Sequence, residues 1–204
     1  MNTKYNKTIA IYRKLGEKYV ENIKNLTPPE IFEYMDLFPE KGKILDIACA
    51  GGRDSRVFLD NGFEIIGVDI VENFVKQAKK NNPGGDFLIK DILKLDFQDE
   101  TFDGIWSHAT LLHFSDEDAG KILKSFYKIL KPGGELFIGV KEGSGFQNII
   151  DKLSEGEERY FNFFTEDRIK KLIEAAGFKI TMFRRTQDDA DRTEVKWLRM
   201  FAEK

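Results

Sequence analysis

One continuous stretch, from Lys43 to Leu59, limits what this chain can fold into more than any other part of the sequence. A short apolar run over 43–47 is followed by small residues over 48–52, and then by apolar positions at helical spacing over 53–59. This order predicts a strand, a tight turn and a helix, which is the first half of a βαβ unit. Small residues at the turn let a ligand approach the backbone, and the helix N-terminus offers unpaired N–H groups to an anion.

The length and composition of the chain indicate a single α/β domain over residues 1–204. Of its 204 residues, 41% are hydrophobic and 33% are charged, which is typical of a soluble globular protein with a sizeable core. The formal net charge of −3 gives no general attraction to nucleic acid or to an anionic membrane. One cysteine, Cys49, excludes an intramolecular disulfide, and neither an apolar run of 18 residues nor a signal-peptide pattern occurs. We therefore expect a cytoplasmic protein in which Cys49 is a small buried residue beside the turn.

The small residues of the turn do not fit a dinucleotide site. The fingerprint Gly-x-Gly-x-x-Gly would place Ala48, Ala50 and Arg53 in the three glycine positions. The stretch instead resembles motif I of the class I S-adenosylmethionine-dependent methyltransferases, which reads hydrophobic-Asp-x-Gly-x-Gly-x-Gly. Asp46 and Gly52 match that motif, and alanines replace its first two glycines. The resemblance implies a site for S-adenosylmethionine at this turn.

Two further acids follow the next two predicted strands. Asp69 ends the apolar run over 63–68, and Asp91 follows the run over 86–90. A carboxylate at the end of a strand can accept two O–H donors, although Asp69 could instead cap a helix and Asp91 could be a solvated loop acid. In the methyltransferase family, the first of these acids binds both ribose hydroxyls and the second binds the adenine amino group. By this resemblance, the candidate cofactor-binding residues are Tyr19, Asp46, Ala48, Gly52, Asp54, Asp69, Ile70, Asp91, Ile92 and Ser107.

Both histidines of the chain lie in one predicted loop. His108 and His113 follow a predicted strand over 101–107. A neutral imidazole near the methyl donor could take a proton from a hydroxyl or an amine, so both are candidate catalytic residues. The alternative is that both are hydrogen-bonded packing residues. The segment resembles motif IV of small-molecule methyltransferases and lacks the Asn/Asp-Pro-Pro-aromatic sequence that DNA and protein amino-methylases often have there.

The rest of the chain extends the resemblance and indicates the fold. The Leu-Lys-Pro-Gly-Gly run over 130–134 precedes another predicted strand and resembles a recognisable mark of the family. Alternating patterns over 178–185 and 194–202, around a polar turn at 187–191, predict an antiparallel hairpin. Alternating strands and helices predict an α/β three-layer sandwich. The resemblance implies a Rossmann-like, mostly parallel, seven-stranded sheet in the order 3-2-1-4-5-7-6, with strand 7 antiparallel.

The N-terminal region 1–40 is expected to form a helical cover. Apolar positions over 5–26 recur every three or four residues, and Thr27-Pro28-Pro29-Glu30 resembles an N-cap with proline just inside a second helix. The simplest interpretation is that both helices pack against the domain. The family resemblance implies a cover over the cofactor, in which Tyr19, or alternatively Tyr12, closes over its methionine end.

Residues 142–164 form a second region without strong motifs. Its first part is rich in glycine, serine and acids, which suits either a mobile lid or a plain surface insertion. Its end places four aromatic residues among the six positions 159–164. Some of these must face the core, and others could line a substrate pocket. Arg159, which could bind a carboxylate or a phosphate, and Tyr160 are the candidate substrate residues.

These observations favour one function and leave two alternatives. The resemblance implies methyl transfer from S-adenosylmethionine to an oxygen, nitrogen or other nucleophilic atom of a small molecule, which leaves S-adenosylhomocysteine. Ala48 and Ala50 keep open a non-catalytic regulator that binds S-adenosylmethionine. An RNA or protein methyltransferase is less favoured, because it calls for a basic face or an added recognition domain. No metal-ligand spacing occurs in the sequence, so we expect no metal, a small-molecule acceptor, and a monomer or homodimer.

Overall fold

This computed structural model describes residues 3–150, 152–188 and 194–204. These residues form a sheet of seven strands and a separate sheet of two strands. The strands are β1 (Lys43–Ile47), β2 (Glu64–Asp69), β3 (Asp86–Ile89), β4 (Phe102–His108), β5 (Leu130–Lys141), β6 (Gly145–Ile150), β7 (Glu158–Phe163), β8 (Lys179–Gln187) and β9 (Lys196–Glu203). The helices are α1 (Thr3–Leu15), α2 (Glu17–Ile23), α3 (Glu30–Asp36), α4 (Arg53–Asp60), α5 (Glu72–Asn81), α6 (Asp116–Ile129) and α7 (Glu166–Ala175). Short 3₁₀ turns lie at Ile92–Lys94, Leu111–His113 and Lys152–Ser154.

The large sheet has the spatial order β3-β2-β1-β4-β5-β9-β8. The first five strands pair in parallel, whereas β9 runs antiparallel to both of its neighbours, β5 and β8. Since β8 and β9 are the sixth and seventh strands of this sheet in chain order, the predicted order 3-2-1-4-5-7-6 with strand 7 antiparallel is confirmed. The remaining strands, β6 and β7, form a separate antiparallel hairpin. The carboxyl ends of β1, β2 and β4 therefore lie along one edge of the large sheet.

Helices cover both faces of this sheet, which confirms the predicted three layers. On one face, Leu45 of β1 belongs to the same apolar cluster as Phe126 of α6. On the other face, its chain neighbour Ile44 belongs to a cluster with Tyr34 of α3. Consecutive strand residues point to opposite faces, so β1 is apolar throughout because both of its faces are buried. Each fully buried side chain of this size contributes about 1.5 to 3 kcal/mol.

The N-terminal region differs from the single helix predicted over 5–26. It breaks into α1 and α2 at Gly16, whose φ of 53° lies in the left-handed region that favours glycine. The break lets α1 contact β7 while α2 contacts α5. The helix α3 begins after Pro29 without a side-chain cap, so the predicted cap at Thr27 is wrong. The strand β5 begins at Leu130, so the Lys-Pro-Gly-Gly run lies inside the strand rather than before it.

The segment predicted as a lid or a surface insertion contains the hairpin of β6 and β7. The strand β7 contacts both α1 and the 3₁₀ turn Leu111–His113. Exposed ion pairs join the N-terminal helices to the loop before β7, namely Lys14 with Glu157, and Lys18 Nζ with Glu155 at 3.1 Å. Two segments that are distant in sequence therefore meet above the carboxyl edge of the large sheet.

The C-terminal strands β8 and β9 form the predicted antiparallel hairpin. Part of the predicted polar turn between them, residues 189–191, lies outside the described residues. In the part of the chain that the structure describes, no helix has the length and apolar content needed to cross a bilayer.

Candidate active site

A cavity lies at the carboxyl edge of the large sheet, between the strand ends and the cover made by α1, α2 and β7. Ligands of open α/β sheets bind at this edge, because loops and helix N-termini converge there. The predicted site residues that line the cavity are Tyr19, Asp46, Ala48, Asp54, Asp69, Ile70, Ile92, His108, His113 and Arg159. The predicted residues that do not line it are Gly52, Asp91, Ser107 and Tyr160.

Asp69 ends β2 and holds the turn that follows β1. Its Oδ2 accepts a hydrogen bond from the Ala50 N–H at 3.0 Å, and its Oδ1 accepts one from the Val71 N–H at 2.9 Å. Since Val71 directly precedes α5, the carboxylate also serves that helix as a cap. Burial raises the pKa of Asp69 to about 6.

The turn after β1 holds three residues in left-handed backbone. The φ angle is 54° at Ala48, 46° at Ala50 and 77° at Gly52. An alanine in this conformation costs roughly 1 kcal/mol relative to glycine. At Gly52, a Cβ would lie 2.1 Å from Nδ2 of Asn82, which donates to the Gly52 carbonyl at 3.1 Å. Glycine is therefore required at 52, whereas the two alanines are accommodated with strain in a backbone that suits glycine at all three positions.

Two buried carboxylates near this turn differ in charge. Asp46 accepts a hydrogen bond from Ser55 Oγ at 2.5 Å. Arg53 binds both oxygens of Asp54 at 2.7 Å, and Trp106 Nε1 donates to Asp54 Oδ2 at 3.0 Å. Burial, together with the charge of Asp54, raises the pKa of Asp46 to about 8. Although Asp54 is also buried, Arg53 holds its pKa below the usual range, so Asp54 carries the negative charge of the pair.

Cys49 lies in the same turn, and its side chain is 6% exposed and lines the cavity. Burial, together with the charges of Asp46 and Asp69, raises the pKa of the thiol. A protonated thiol is a poor nucleophile. The position agrees with the predicted small buried residue beside the turn.

His113 belongs to a hydrogen-bonded chain whose donors are fixed by chemistry. Arg159 Nη1 donates to Tyr12 Oη at 2.9 Å, because a guanidinium can only donate. His113 Nδ1 lies 3.1 Å from the carbonyl oxygen of Tyr160, which can only accept. The imidazole proton is therefore on Nδ1, and Nε2 accepts from the Tyr12 hydroxyl at 3.0 Å. Burial lowers the pKa of His113 to about 3, so the ring is neutral.

His108 has the opposite arrangement. Arg53 Nη2 lies 3.4 Å from His108 Nδ1, and since the guanidinium must donate, Nδ1 accepts and the imidazole proton is on Nε2. The ring packs against Trp197, with the two ring centroids 4.8 Å apart. Burial and the charge of Arg53 lower the pKa of His108 to about 3. Both histidines are thus neutral, but they carry their protons on different nitrogens.

Two buried cations lie beside the His113 chain. Arg159 is 2% exposed and Lys141 is 4% exposed, and both line the cavity. The guanidinium carbon of Arg159 lies 5.1 Å, and Nζ of Lys141 lies 4.1 Å, from the centroid of the same ring, Phe161. After burial, the charges of these two residues also lower the pKa of His113.

Tyr12 and Tyr19, the alternatives for closing the site, both line the cavity. Their rings meet edge to face with centroids 4.9 Å apart, and Tyr19 stacks on Phe74 at 5.7 Å. The hydroxyl of Tyr12 belongs to the His113 chain, whereas Tyr19 contributes an aromatic face between α2 and α5. Whether either ring closes over a ligand stays a prediction.

Three predicted residues that do not line the cavity lie in different surroundings. Asp91 Oδ1 accepts from the backbone N–H two residues later at 3.0 Å and from Tyr5 Oη at 3.3 Å. Ser107 is fully buried, and its Oγ has no hydrogen-bond partner among the residues that the structure describes. The ring of Tyr160 stacks on Phe146 at 5.0 Å. A direct contact of these side chains with a ligand stays a prediction.

Comparison with known proteins shows what this chain is similar to. A family model described as a methyltransferase domain matches residues 45–138. The chain is 30% identical over 169 residues to a phosphoethanolamine N-methyltransferase of Plasmodium falciparum, which covers 80% of this chain and 63% of that protein. It is 31% identical over 171 residues to one of Triticum aestivum, which covers 81% of this chain and 33% of that protein. Over these residues the chain is similar to the class I S-adenosylmethionine-dependent methyltransferases.

A solved structure shows the same methyltransferase fold over the whole chain. It is the Burkholderia thailandensis 1,6-didemethyltoxoflavin-N1-methyltransferase with bound 1,6-didemethyltoxoflavin and S-adenosylhomocysteine. The TM-score is 0.78 at 22% identity, covering 100% of this chain and 91% of that one. The cofactor of the family is S-adenosylmethionine. The chain spans about a third of the Triticum aestivum relative and 63% of the Plasmodium falciparum relative.

Sequence reasoning missed two charged residues in this cavity. Lys141 ends β5 after a run of apolar residues, and Arg53 begins α4. A lysine directly after a buried strand was a readable signal, because strand ends converge at the ligand edge. The bond from Arg53 to His108 had no sequence signal, since it joins residues 55 positions apart.

Proposed function

We propose that this chain transfers the methyl group of S-adenosylmethionine to a nitrogen or oxygen atom of a small molecule that carries an anionic group. The observation that carries the proposal is the hydrogen bond from Tyr12 to His113 in the cavity that Asp69 also lines. Two buried cations, Arg159 and Lys141, line the same cavity. A proton acceptor, a strand-end carboxylate and two buried basic side chains together suit a nucleoside and an anionic acceptor bound side by side.

The described residues fit the cofactor on the chemistry of their side chains. We assign the ribose to the buried carboxylate of Asp69, because a carboxylate at a strand end can accept hydrogen bonds from O–H donors. We assign the adenine to the apolar surfaces of Ile70 and Ile92, with its amino group donating to Asp91. The methionine end is assigned to Tyr19, Asp46, Ala48, Gly52, Asp54 and Ser107. When bound, S-adenosylmethionine supplies a methyl group on a positively charged sulfur.

Tyr12 and His113 are assigned the proton that the acceptor loses. Tyr12 Oη has two lone pairs, of which one accepts from Arg159 and the other faces the hydroxyl of Tyr19, with which Tyr12 also hydrogen-bonds. An N–H or O–H of the acceptor takes the place of Tyr19 at this second lone pair. As Tyr12 receives that proton, it passes its own to Nε2 of His113, 3.0 Å away. The acceptor atom bonds to the methyl carbon while the sulfur–carbon bond breaks. The products are neutral S-adenosylhomocysteine, the methylated acceptor and a proton on His113.

An anionic acceptor would also make His113 a better base. Burial, and after it the charges of Arg159 and Lys141, lower the pKa of His113 to about 3. A negative group bound near these cations offsets their effect on the imidazole, because opposite charges at short range favour the protonated ring. The proton affinity of His113 would therefore rise when the acceptor is in place.

The relatives suggest a first acceptor to test. The two reported above are named phosphoethanolamine N-methyltransferases. Phosphoethanolamine combines an amine, which suits the proton relay of Tyr12 and His113, with a phosphate, which suits Arg159 and Lys141. We therefore propose a phosphorylated amine of this kind as the acceptor.

Calorimetric titration of the purified protein with S-adenosylhomocysteine tests the cofactor assignment. We expect micromolar binding to the wild type, at least tenfold weaker binding to Asp69→Asn, and none of NADH to either. Asparagine is the matched change, because it keeps the size of the side chain and one acceptor oxygen but replaces the other by a donor. A wild type that does not bind S-adenosylhomocysteine would contradict the proposal.

Formation of S-adenosylhomocysteine with different acceptors tests the reaction. We expect turnover with phosphoethanolamine and much less with ethanolamine, which lacks the anionic group that Arg159 and Lys141 would bind. Equal turnover of both compounds would contradict the proposal that the acceptor must carry an anionic group. Cofactor binding without turnover of any acceptor would favour the non-catalytic regulator that Ala48 and Ala50 keep open.

A further inference from the structure

The first turn of α1 reaches the part of the cavity to which we assign the adenine. Tyr5 lies in that turn, lines the cavity and is 9% exposed. Its ring packs on Phe114, which also lines the cavity, with the two ring centroids 4.7 Å apart. Tyr5 and Ile92 belong to one apolar cluster, against which Ile70 packs. Tyr5 is therefore part of the cavity wall beside the residues to which we assign the base.

The hydroxyl of Tyr5 holds one oxygen of the strand-end acid Asp91. Tyr5 Oη donates to Asp91 Oδ1 at 3.3 Å, and the N–H of Leu93 donates to the same oxygen at 3.0 Å. Burial, together with the charge of Asp91, raises the pKa of Tyr5, so the phenol keeps its proton and is the donor. The two donors come from α1 and from the 3₁₀ turn Ile92–Lys94. The carboxylate is thus held between two elements that are distant in the sequence.

The other oxygen of Asp91 is available at the margin of the cavity. No hydrogen bond from a described residue reaches Oδ2, and Asp91 is only partly buried. Its chain neighbours Lys90 and Ile92 line the cavity, and so does Tyr5, which contacts it. A carboxylate oxygen can only accept, so it matches an amino group and repels a carbonyl oxygen. Fixing Oδ1 therefore limits the directions from which an amino group can bind Oδ2.

We propose that Tyr5 is a positioning residue for the nucleobase of the cofactor, which holds Asp91 so that Oδ2 accepts from the amino group of adenine and a base with a carbonyl oxygen at that position is rejected. The inference rests on the proposed function, which places the adenine amino group at Asp91. It adds α1 to the adenine site through a residue 86 positions away from the acid that it holds. Tyr12, seven positions later on the same face of α1, serves the acceptor instead.

The preference for adenine is measured by the ratio of two dissociation constants. One is that of S-adenosylhomocysteine, and the other is that of S-inosylhomocysteine, in which a carbonyl oxygen replaces the amino group. We expect the wild type to bind S-adenosylhomocysteine about tenfold more tightly, and we expect this preference to fall about fivefold in Tyr5→Phe, as one lost hydrogen bond implies. Phenylalanine keeps the ring that packs on Phe114. A general loss of stability does not alter the ratio, because both ligands bind the same protein.

A double-mutant cycle tests whether Tyr5 acts through Asp91. In Asp91→Ala we expect the two ligands to bind almost equally, because the acceptor oxygen is lost. Adding Tyr5→Phe to Asp91→Ala should not change the ratio further, since two residues that act through one contact are not additive. A fivefold change that persisted in the double variant would overturn the positioning role, because Tyr5 would then act on the base without Asp91.

Two controls separate this role from a displacement of α1. Tyr127→Phe removes a hydroxyl outside the cavity and should leave the ratio at its wild-type value. Nitrogen-15 NMR of labelled histidine gives two imidazole spectra, which His108→Gln assigns. Because Tyr12 of α1 bonds to His113, we expect both spectra to be the same in Tyr5→Phe and in the wild type. A lowered ratio with an altered His113 spectrum would overturn the specific role of Tyr5, since α1 as a whole would have moved.

The remaining outcomes distinguish this inference from the proposed function. An unchanged ratio in Tyr5→Phe would overturn the role of Tyr5. Equal binding of the two ligands by the wild type would overturn the role of Asp91 as well, while micromolar binding of S-adenosylhomocysteine would leave the proposed function in place. A wild type that binds neither ligand would remove the proposed function and the inference together.

Discussion

The two histidines of the cavity have the same charge but opposite hydrogen-bonding roles. The His113 side consists of Tyr12, His113 and Arg159, and the His108 side consists of Arg53 and His108 with Asp54 behind them. Burial lowers the pKa of both rings to about 3, so both are neutral. Each side also contains an arginine. The sides differ in the atom that the arginine reaches, because Arg159 donates to a tyrosine and Arg53 donates to the imidazole itself.

This difference separates two effects that are often treated together. Burial determines that each imidazole is uncharged, but it does not determine which nitrogen carries the proton. On the His113 side, a backbone carbonyl takes the Nδ1–H and leaves a lone pair for Tyr12. On the His108 side, a guanidinium takes the Nδ1 lone pair and leaves an N–H group. The neighbour of Nδ1 therefore decides whether the ring can accept a proton or donate a hydrogen bond.

The largest effect is expected from Tyr12→Phe, which breaks the relay on the His113 side. We expect kcat to fall about 100-fold, because a positioned proton acceptor is lost, while the Kd for S-adenosylhomocysteine stays unchanged. Steady-state kinetics and calorimetry measure the two quantities. The matched control is Tyr127→Phe, since Tyr127 packs on Phe178 away from the cavity. If kcat were unchanged in Tyr12→Phe, the relay would not take part in the reaction.

A smaller effect is expected from removing either cation of the His113 side. In Arg159→Met and in Lys141→Met, we expect the KM for an anionic acceptor to rise at least tenfold, as the loss of a charge-assisted hydrogen bond implies. The KM for the corresponding uncharged amine should change much less. Lys128→Met, at an exposed ion pair with Asp99, is the control. Equal increases for charged and uncharged acceptors would show that the cations hold the pocket rather than the anion.

The two histidines are expected to make equal contributions to the pH dependence of stability. The unfolded imidazole has a pKa near 6.5 and both folded rings have a pKa of about 3. The stability that the two neutral rings give the folded state is thus fully present above pH 6.5, and it is lost as the pH falls toward 3. Between pH 7 and pH 5, we expect the free energy of unfolding to fall further in the wild type than in the double variant His108→Gln/His113→Gln. The additional fall should be on the order of 2 kcal/mol per histidine.

Urea denaturation at the two pH values measures this difference. Asp69, whose pKa is raised to about 6, and Asp46, whose pKa is raised to about 8, stabilise the fold in the opposite direction, toward low pH. Both acids are present in both proteins, so their effects cancel in the comparison. The single variants should each account for about half of the difference, and a strongly unequal division would show that one ring is solvated.

The smallest effect is expected from Ala48→Gly, a change in the turn that should affect neither side. Removing the Cβ at a φ of 54° relieves strain, so we expect the free energy of unfolding to rise by about 0.5 kcal/mol. The control Ala10→Gly, in the exposed part of α1, should lower it by about 1 kcal/mol. Both imidazole spectra should match the wild type. A spectral change in Ala48→Gly would mean that the turn is coupled to one of the histidines.

Much of the fold and the strand-end residues of the site could be predicted from the sequence. Asp46 and Asp69 are 23 positions apart in the sequence. They meet because parallel strands bring their carboxyl ends to one edge of the sheet. The order of strands and acids in the sequence is therefore sufficient to predict that the two side chains lie close together. The left-handed turn was also indicated, since Ala48 and Ala50 stand where the family motif has glycine, and both have positive φ.

The hydrogen-bonded chains could not be predicted in this way. Tyr12 and His113 are 101 positions apart, and Tyr12 and Arg159 are 147 positions apart. Their contacts depend on the break at Gly16, which directs α1 toward β7, and that residue stands within an otherwise regular helical pattern. Which nitrogen of each histidine carries the proton depends on these tertiary neighbours. No pattern local to the 108–113 segment contains that information.

The buried cysteine of the turn provides a chemical reporter for the cavity. Cys49 is the one cysteine of the chain, and it is 6% exposed at the cavity wall. A thiol reagent can therefore modify the native protein only when the turn that holds Cys49 opens. We expect S-adenosylhomocysteine to slow that modification in proportion to its occupancy. The labelling rate of the unaltered protein then measures how often solvent enters the site, and no probe has to be introduced.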